Sequence, residues 1–194
     1  MALKLMYITN KKEVALIAER YGVDRIWIDL ETLGKEERQK GMNTVKSKHT
    51  VGDIKKIKPL LTKAEMLVRI NPWHNGSEKE IDEVISAGAD IIMLPMWKTP
   101  DEVENFLKTV NRRCKTTLLL ETREAVECLD KVLKHSNMDE IHIGLNDLHL
   151  SYGRSGLPAR PYLPSSCTCQ ARPDAPGTRQ PPDSSPAGSS QAEA

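Results

Sequence analysis

A parallel α/β sheet curled into most of a strand–helix barrel is the fold class this 194-residue sequence predicts, and three observations carry the prediction. Six short, continuously apolar runs suit strands buried on both faces. Amphipathic segments with helix-capping signals alternate with those runs. The turn after the first run, Ile8-Thr9-Asn10-Lys11, lacks the glycines that a doubly wound nucleotide binder carries there, which favours the barrel.

The elements follow in order. The first run covers residues 5–8 and leads to a helical face of Val14, Ile17 and Ala18, opened by Asn10 with Glu13 three residues on. The second, 25–30, is followed by a long connection and then by Thr50 and Asp53 ahead of Ile54 and Ile57. After the third, 66–70, Ser77 and Glu80 precede a face of Ile81, Val84 and Ile85, and Gly88 closes that helix. The fourth, 90–94, leads to Thr99 and Glu102, with Pro100 at the first helical position, where its missing N–H costs nothing. Val103, Phe106, Leu107 and Val110 form its face. The fifth, 117–120, precedes a helix with Leu129, Val132 and Leu133, and the sixth covers 140–144.

Composition divides the chain at Gly153. Residues 154–194 contain eight of the twelve prolines and seven serines but no Lys, Ile, Val, Met, Asn or Phe, whereas residues 1–153 hold all seventeen lysines. Such a tail cannot bury enough apolar surface to offset its ordering entropy, so disorder is expected, and its amino-acid bias suggests a shifted frame or junction. The body, 1–153, is expected to be one partial barrel. A formal net charge of +1 gives no electrostatic footprint for nucleic acid, and no apolar stretch approaches the ~20 residues of a membrane helix. Cys114, Cys128, Cys167 and Cys169 make no disulfide framework, and reduced thiols in a cytoplasmic protein are the expectation.

Barrel sites lie where strands end, and polar residues gather there. Asp29 and Glu31 close the second run, Arg69 and Asn71 the third and Glu121 the fifth, while Asp147 follows the sixth. Glu121 and Asp147 would stand about one strand spacing, roughly 4.8 Å, apart and could share a divalent cation through hard oxygen ligands. Singly, each has a plainer reading, at a helix start or a turn; together, behind two apolar strands, they favour the metal. Arg69 is either a counter-ion to the carboxylates or the group that stabilises a developing oxyanion. His49 is a candidate proton-transfer group at the end of the long 32–48 connection, whose Lys35–Lys40 stretch reads as solvated. The other four histidines, His74, His135, His142 and His149, have no zinc spacing, and residues 93–97 read as core and mouth packing.

In combination, Asp29-Leu-Glu31, Val68-Arg-Ile-Asn71, the 88–95 stretch ending Met93-Leu-Pro95, Leu119-Leu-Glu121 and the 143–148 stretch through Gly144 and Asp147 resemble the metal-dependent pyruvate aldolase and citrate lyase β-subunit family, also called the hydroxy-oxo-heptanedioate aldolase family. The likeness runs in order from about Met6 to Gly153. It implies a (β/α)8 barrel of the phosphoenolpyruvate/pyruvate type, a carbon–carbon lyase and Mg²⁺ or Mn²⁺ held by Glu121 and Asp147. It further implies Arg69 beside the substrate's oxo group, and the turn of Gly144, Asn146 and Asp147, with Glu31, around a pyruvyl unit. The implied partners are a 2-oxo acid and an aldehyde or acyl thioester, and full-length relatives are expected to be homo-oligomers.

Two departures shape the expectations. Aldolases of this kind often carry a histidine directly after the second-strand glutamate; here it is Thr32, and Lys35 and Arg38 lean toward the lyase branch that acts on acyl-CoA thioesters. Either His49 is then a substitute base or the substrate differs. Six strands also cannot close an eight-stranded barrel, so the first and sixth should have open edges. A second reading is therefore a truncated, partner-dependent fragment without turnover. A third, an unrelated phosphate-binding barrel, is weakened because phosphate sites favour the seventh and eighth loops.

Overall fold

A computed structural model describes residues 3–34 and 48–153. The loop carrying Lys35, Arg38 and Lys40, and the 154–194 tail with Cys167 and Cys169, lie outside the described residues. The strands are β1 (Met6–Ile8), β2 (Arg25–Asp29), β3 (Glu65–Arg69), β4 (Ile91–Leu94), β5 (Lys115–Leu120) and β6 (Glu140–Ile143). The helices are α1 (Lys12–Arg20), α2 (Val51–Ile57), α3 (Ser77–Ala87), α4 (Pro100–Val110), α5 (Arg123–Val132) and α6 (Leu145–Ser151), with a 3₁₀ turn at Lys58–Leu60. Every expected strand is present, within two residues of its expected limits.

The sheet order is β1-β2-β3-β4-β5-β6 and every neighbouring pair is parallel. A doubly wound sheet reverses its order at a switch point; this one does not, which is the winding of a barrel. One ion pair demonstrates the curl. Arg25 on β2 reaches Glu140 on β6 through two hydrogen bonds of 2.6 Å. On a flat sheet these strands would lie four spacings, about 19 Å, apart, farther than the two side chains span. The six strands therefore form an incomplete barrel.

Each central strand faces two cores. Ile26, Ile28, Val68, Ile92 and Leu118 point outward to the helices, where they meet Ile54, Ile81, Val84, Phe106 and Val110. Leu67, Ile91, Met93 and Leu119 form a second cluster on the concave side, with Met6 and Trp27 packed against it. Burial on both faces explains the near-continuous apolar runs in the sequence. Below that cluster the floor is ionic: Arg25 also bonds Glu65 at 3.3 Å, and Lys115 bonds Glu65 at 2.5 Å. At the ends of the arc, β1 and β6 each have a single strand neighbour among the described residues, and Tyr7, Ile8 and Ile143 are exposed.

Two of the four expected capping boxes form, at Thr50 with Asp53 and at Thr99 with Glu102. The other two are corrected. The cap of α1 is Lys11, without a side-chain bond, and Asn10 turns its side chain to Asp53 instead. Ser77 is already inside α3 and accepts a hydrogen bond from the His74 N–H at 2.9 Å. An unexpected cap is Thr122, whose hydroxyl accepts from the Ala125 N–H at 3.1 Å. Gly88 closes α3 as expected, with φ of 106°. Cys114 and Cys128 are free, and burial pushes the Cys114 thiol up to about 11, which makes it inert. Among the described residues no helix is long and apolar enough to cross a membrane.

Candidate active site at the C-terminal ends of the strands

Parallel register puts the last residues of β2 and β3 side by side, Asp29 opposite Arg69. Alternation along the strands turns both side chains to the concave face, two residues beyond Trp27 and Leu67. The Arg69 guanidinium grips Asp29 with Nε to Oδ1 and Nη2 to Oδ2, both 2.9 Å, and its Nη2 stands 3.3 Å from Glu31 Oε2. Its Cζ sits 5.3 Å from the centroid of the Trp27 ring, which meets His142 edge-on. Burial works against the arginine's charge, but the hydrogen bonds and charge of Asp29, with Glu31 and Glu121 beyond, carry its pKa above the ordinary value. Arg69 is thus a fixed cation held in fork geometry.

Glu121, immediately past β5, is 3 % exposed. Its Oε1 accepts a hydrogen bond from the Met96 N–H at 3.0 Å. On the other side stands Gly144, where an added Cβ would fall 2.9 Å from Glu121 Cβ and 3.0 Å from Oε2. Only a residue without a side chain fits there. Burial pushes the Glu121 carboxyl up and the charge of Asp147 pushes the same way, to about 7, against the pull of Arg69 and the Met96 N–H. A buried carboxyl with a second carboxylate acting on it offers hard oxygen donors of the kind a divalent cation takes. Asp147 lies in the first turn of α6 rather than on a strand, and Asn146 beside it is exposed, its Nδ2 3.5 Å from Asp147 Oδ1. Among the described residues no group of three or more His, Cys, Asp or Glu side chains forms a metal cage. Mg²⁺ fits such a sparse set, because it takes one or two carboxylates and completes its shell with water and substrate oxygens.

The mouth is braced from outside the contact shell. Asn71 Oδ1 accepts the Thr32 and Leu33 N–H groups at 2.9 and 3.0 Å, and its own Nδ2 donates to Glu80 at 2.8 Å. Glu80, expected to cap α3, thus ties the β3 and β2 loops together, with His74 3.2 Å from its other oxygen. His49 lies against β2, its Nδ1 accepting the Asp29 N–H at 3.0 Å. With Nδ1 accepting, a neutral His49 ring carries its proton on Nε2. The Gly144 N–H is engaged with Leu120 O at 3.0 Å and so is not open to a ligand.

The expected residues therefore gather in one mouth: Arg69 meets Glu31 and Glu121, Asp147 acts on Glu121, Gly144 leaves no room for a Cβ beside Glu121, and His49 is one backbone amide away. Two participants escaped the sequence. Trp27 read only as an apolar strand residue, and its place under Arg69 follows from alternation that the sequence does contain. Met96 acts through its backbone with φ of 53°, and no side-chain pattern announces that.

A singly wound strand–helix arc with a buried carboxylate–arginine cluster at its strand ends is the architecture of a (β/α) barrel. The family model described as HpcH/HpaI aldolase/citrate lyase matches residues 4–172, and the chain belongs to that family. Among solved structures it is similar to the citrate synthase SbnG, at 16 % identity and a TM-score of 0.61 over 81 % of this chain and 65 % of that one. It is similar to a HpcH/HpaI family protein from Burkholderia cenocepacia, at 16 % identity and 0.63 over 77 % and 66 %. A third is the citrate lyase β subunit of M. tuberculosis, complexed with oxaloacetate and magnesium, at 16 % identity and 0.50 over 78 % and 61 %. These likenesses establish the fold. The chain spans less than two thirds of the length of those three proteins. Among curated protein sequences none matches it.

Proposed function

We propose that this chain carries the site of a divalent-metal-dependent carbon–carbon lyase that forms or cleaves a 2-oxo acid derived from a pyruvate enolate. The observation that supports it most is the buried Glu121 whose proton affinity Asp147 raises, beside the fixed charge of Arg69. Glu121 and Asp147 would hold Mg²⁺ or Mn²⁺, which when bound supplies Lewis-acid polarisation of the substrate's carboxylate and oxo oxygens.

In cleavage, a base takes the proton of the aldol hydroxyl, the carbon–carbon bond breaks, an aldehyde departs, and the bonding pair becomes the enolate of pyruvate. Reprotonation at carbon releases pyruvate. Arg69 adds positive charge where the oxyanion grows, and its fork on Asp29 means that no reorganisation is needed as charge develops. The backbone amides from Leu145 onward, with Asn146, would receive the pyruvyl carboxylate, and Glu31 would border it while holding Arg69. His49 is the candidate base; with Nδ1 accepting the Asp29 N–H, it would take a proton there only by releasing that amide. Thr32, where a histidine is common, keeps an acyl thioester as the alternative acceptor class.

The test needs no knowledge of the acceptor. Pyruvate in D2O with Mn²⁺ or Mg²⁺ should lose its methyl proton signal in the presence of the protein, and not after Glu121→Ala or Asp147→Ala. Metal-independent exchange, or none in the folded wild type, would overturn the reading.

A further inference from the structure

Met96 follows Pro95 at the end of β4 and is one of three non-glycine residues with positive φ among the described residues, at 53°. L-side chains disfavour that region, so such a backbone persists only where its surroundings hold it. Here they do. The Met96 N–H donates to Glu121 Oε1 at 3.0 Å, and one residue on, Trp97 O accepts the Thr122 hydroxyl at 2.7 Å. Residues 96–97 are thus stitched to 121–122 by two successive hydrogen bonds. The left-handed turn at Met96 lets its N–H face the mouth while Trp97, 1 % exposed, returns to the sheet–helix core.

We propose that Met96 is a positioning residue for metal binding: its N–H occupies Glu121 Oε1, which leaves Oε2, on the side where Gly144 carries no side chain, as the oxygen that would ligate. This rests on the metal-dependent reading above. A carboxylate bound through one oxygen would take one position of a small six-coordinate ion rather than two, leaving more of them for water and the oxygens of a 2-oxo acid. The strained turn is then the source of a coordination geometry rather than an accident of the loop.

The direct perturbation replaces the residue-96 amide by an ester, using the hydroxy-acid analogue of methionine, which removes the N–H and otherwise only weakens the Pro95 carbonyl as an acceptor. Mn²⁺ affinity, read by electron paramagnetic resonance well below the unfolding midpoint, should fall on the order of tenfold, the loss of one hydrogen bond to a charged acceptor. Met96→Gly keeps the N–H and accepts the left-handed backbone, so it should bind Mn²⁺ within about twofold of wild type and melt higher. Wild type that binds Mn²⁺ as tightly as the ester would overturn the positioning role alone. Wild type that is folded and does not bind Mn²⁺ would overturn the metal reading and this proposal with it. Amide exchange gives a second readout that needs no ester. The Met96 N–H should be protected in wild type and exposed in Glu121→Ala, and an unprotected Met96 amide in wild type would equally reject the proposal.

Discussion

Adding one methyl group at residue 144 should damage the site more than its size suggests. Gly144 has φ of −90°, which alanine adopts freely, so Gly144→Ala tests space and not backbone strain. The new Cβ would meet Glu121 Cβ at 2.9 Å, Glu121 Oε2 at 3.0 Å and Leu119 Cδ1 at 3.3 Å. Leu119 can yield by a few tenths of an ångström because its methyl is the far end of a side chain. Glu121 cannot: its Cβ is fixed to the strand end, and moving the carboxylate draws Oε1 away from the Met96 N–H. Overpacking of this kind costs about 1–3 kcal/mol, and a weakened bond to a charged group adds to it. Urea unfolding should therefore show a loss of about 2 kcal/mol, with Mn²⁺ affinity falling at least on the order of tenfold. Gly52→Ala is the control. Its Cβ would make an ordinary 3.4 Å contact with Thr50 Oγ1 inside α2, so it should stabilise by roughly 0.4–1 kcal/mol. Wild-type stability and affinity in Gly144→Ala would refute the claim that Glu121 is clamped from both sides.

Two further outcomes are expected. Glu121 has a folded pKa raised from 4.5 to about 7, so the metal-free folded state binds the proton more tightly than the unfolded chain. Its contribution favours folding below pH 4.5 and is lost as pH rises to 7, by about 3 kcal/mol in all. Metal-free thermal midpoints across that window should fall more steeply in wild type than in Glu121→Gln, while Mn²⁺ affinity climbs until about pH 7; equal slopes would contradict the shift. Arg25→Met removes the ion pair that crosses the concave face; with Glu140 partly solvated the loss should be about 1–3 kcal/mol by chemical denaturation.

The strands were the most legible part of the molecule because burial on two faces writes itself as continuous apolar runs, and no other local structure does so at that length. The mouth was legible for a related reason. Asp29, Arg69 and Glu121 interrupt those runs at their ends, and although each has a plainer reading alone, together they mark the face where barrel sites lie. What escaped depends on backbone and on competition between partners. Glu80 carries the spacing of a capping residue, yet it serves Asn71 and His74, because an acid at a helix start can turn to any donor within reach. Asn10 likewise bonds Asp53, a partner that only the fold brings near. Met96 is recognised by its φ and its N–H, and a sequence spells neither.

Because each strand pairs only with its predecessor and successor in the chain, the molecule can be assembled in the order in which it is synthesised. Asp29 and Glu31 emerge first, Arg69 docks on them as β3 adds, and the Glu121 pocket follows with β5. The Arg25–Glu140 pair breaks this sequence, joining residues 115 positions apart, and it must wait until β6 has left the ribosome. Until then Arg25 has Glu65 as its only carboxylate partner among the described residues, and the growing sheet is free to flatten. Among the described strands, β6 is therefore the one whose arrival joins the far end of the arc back to β2 through a side-chain pair, a contact of long sequence separation that forms at a high entropic cost.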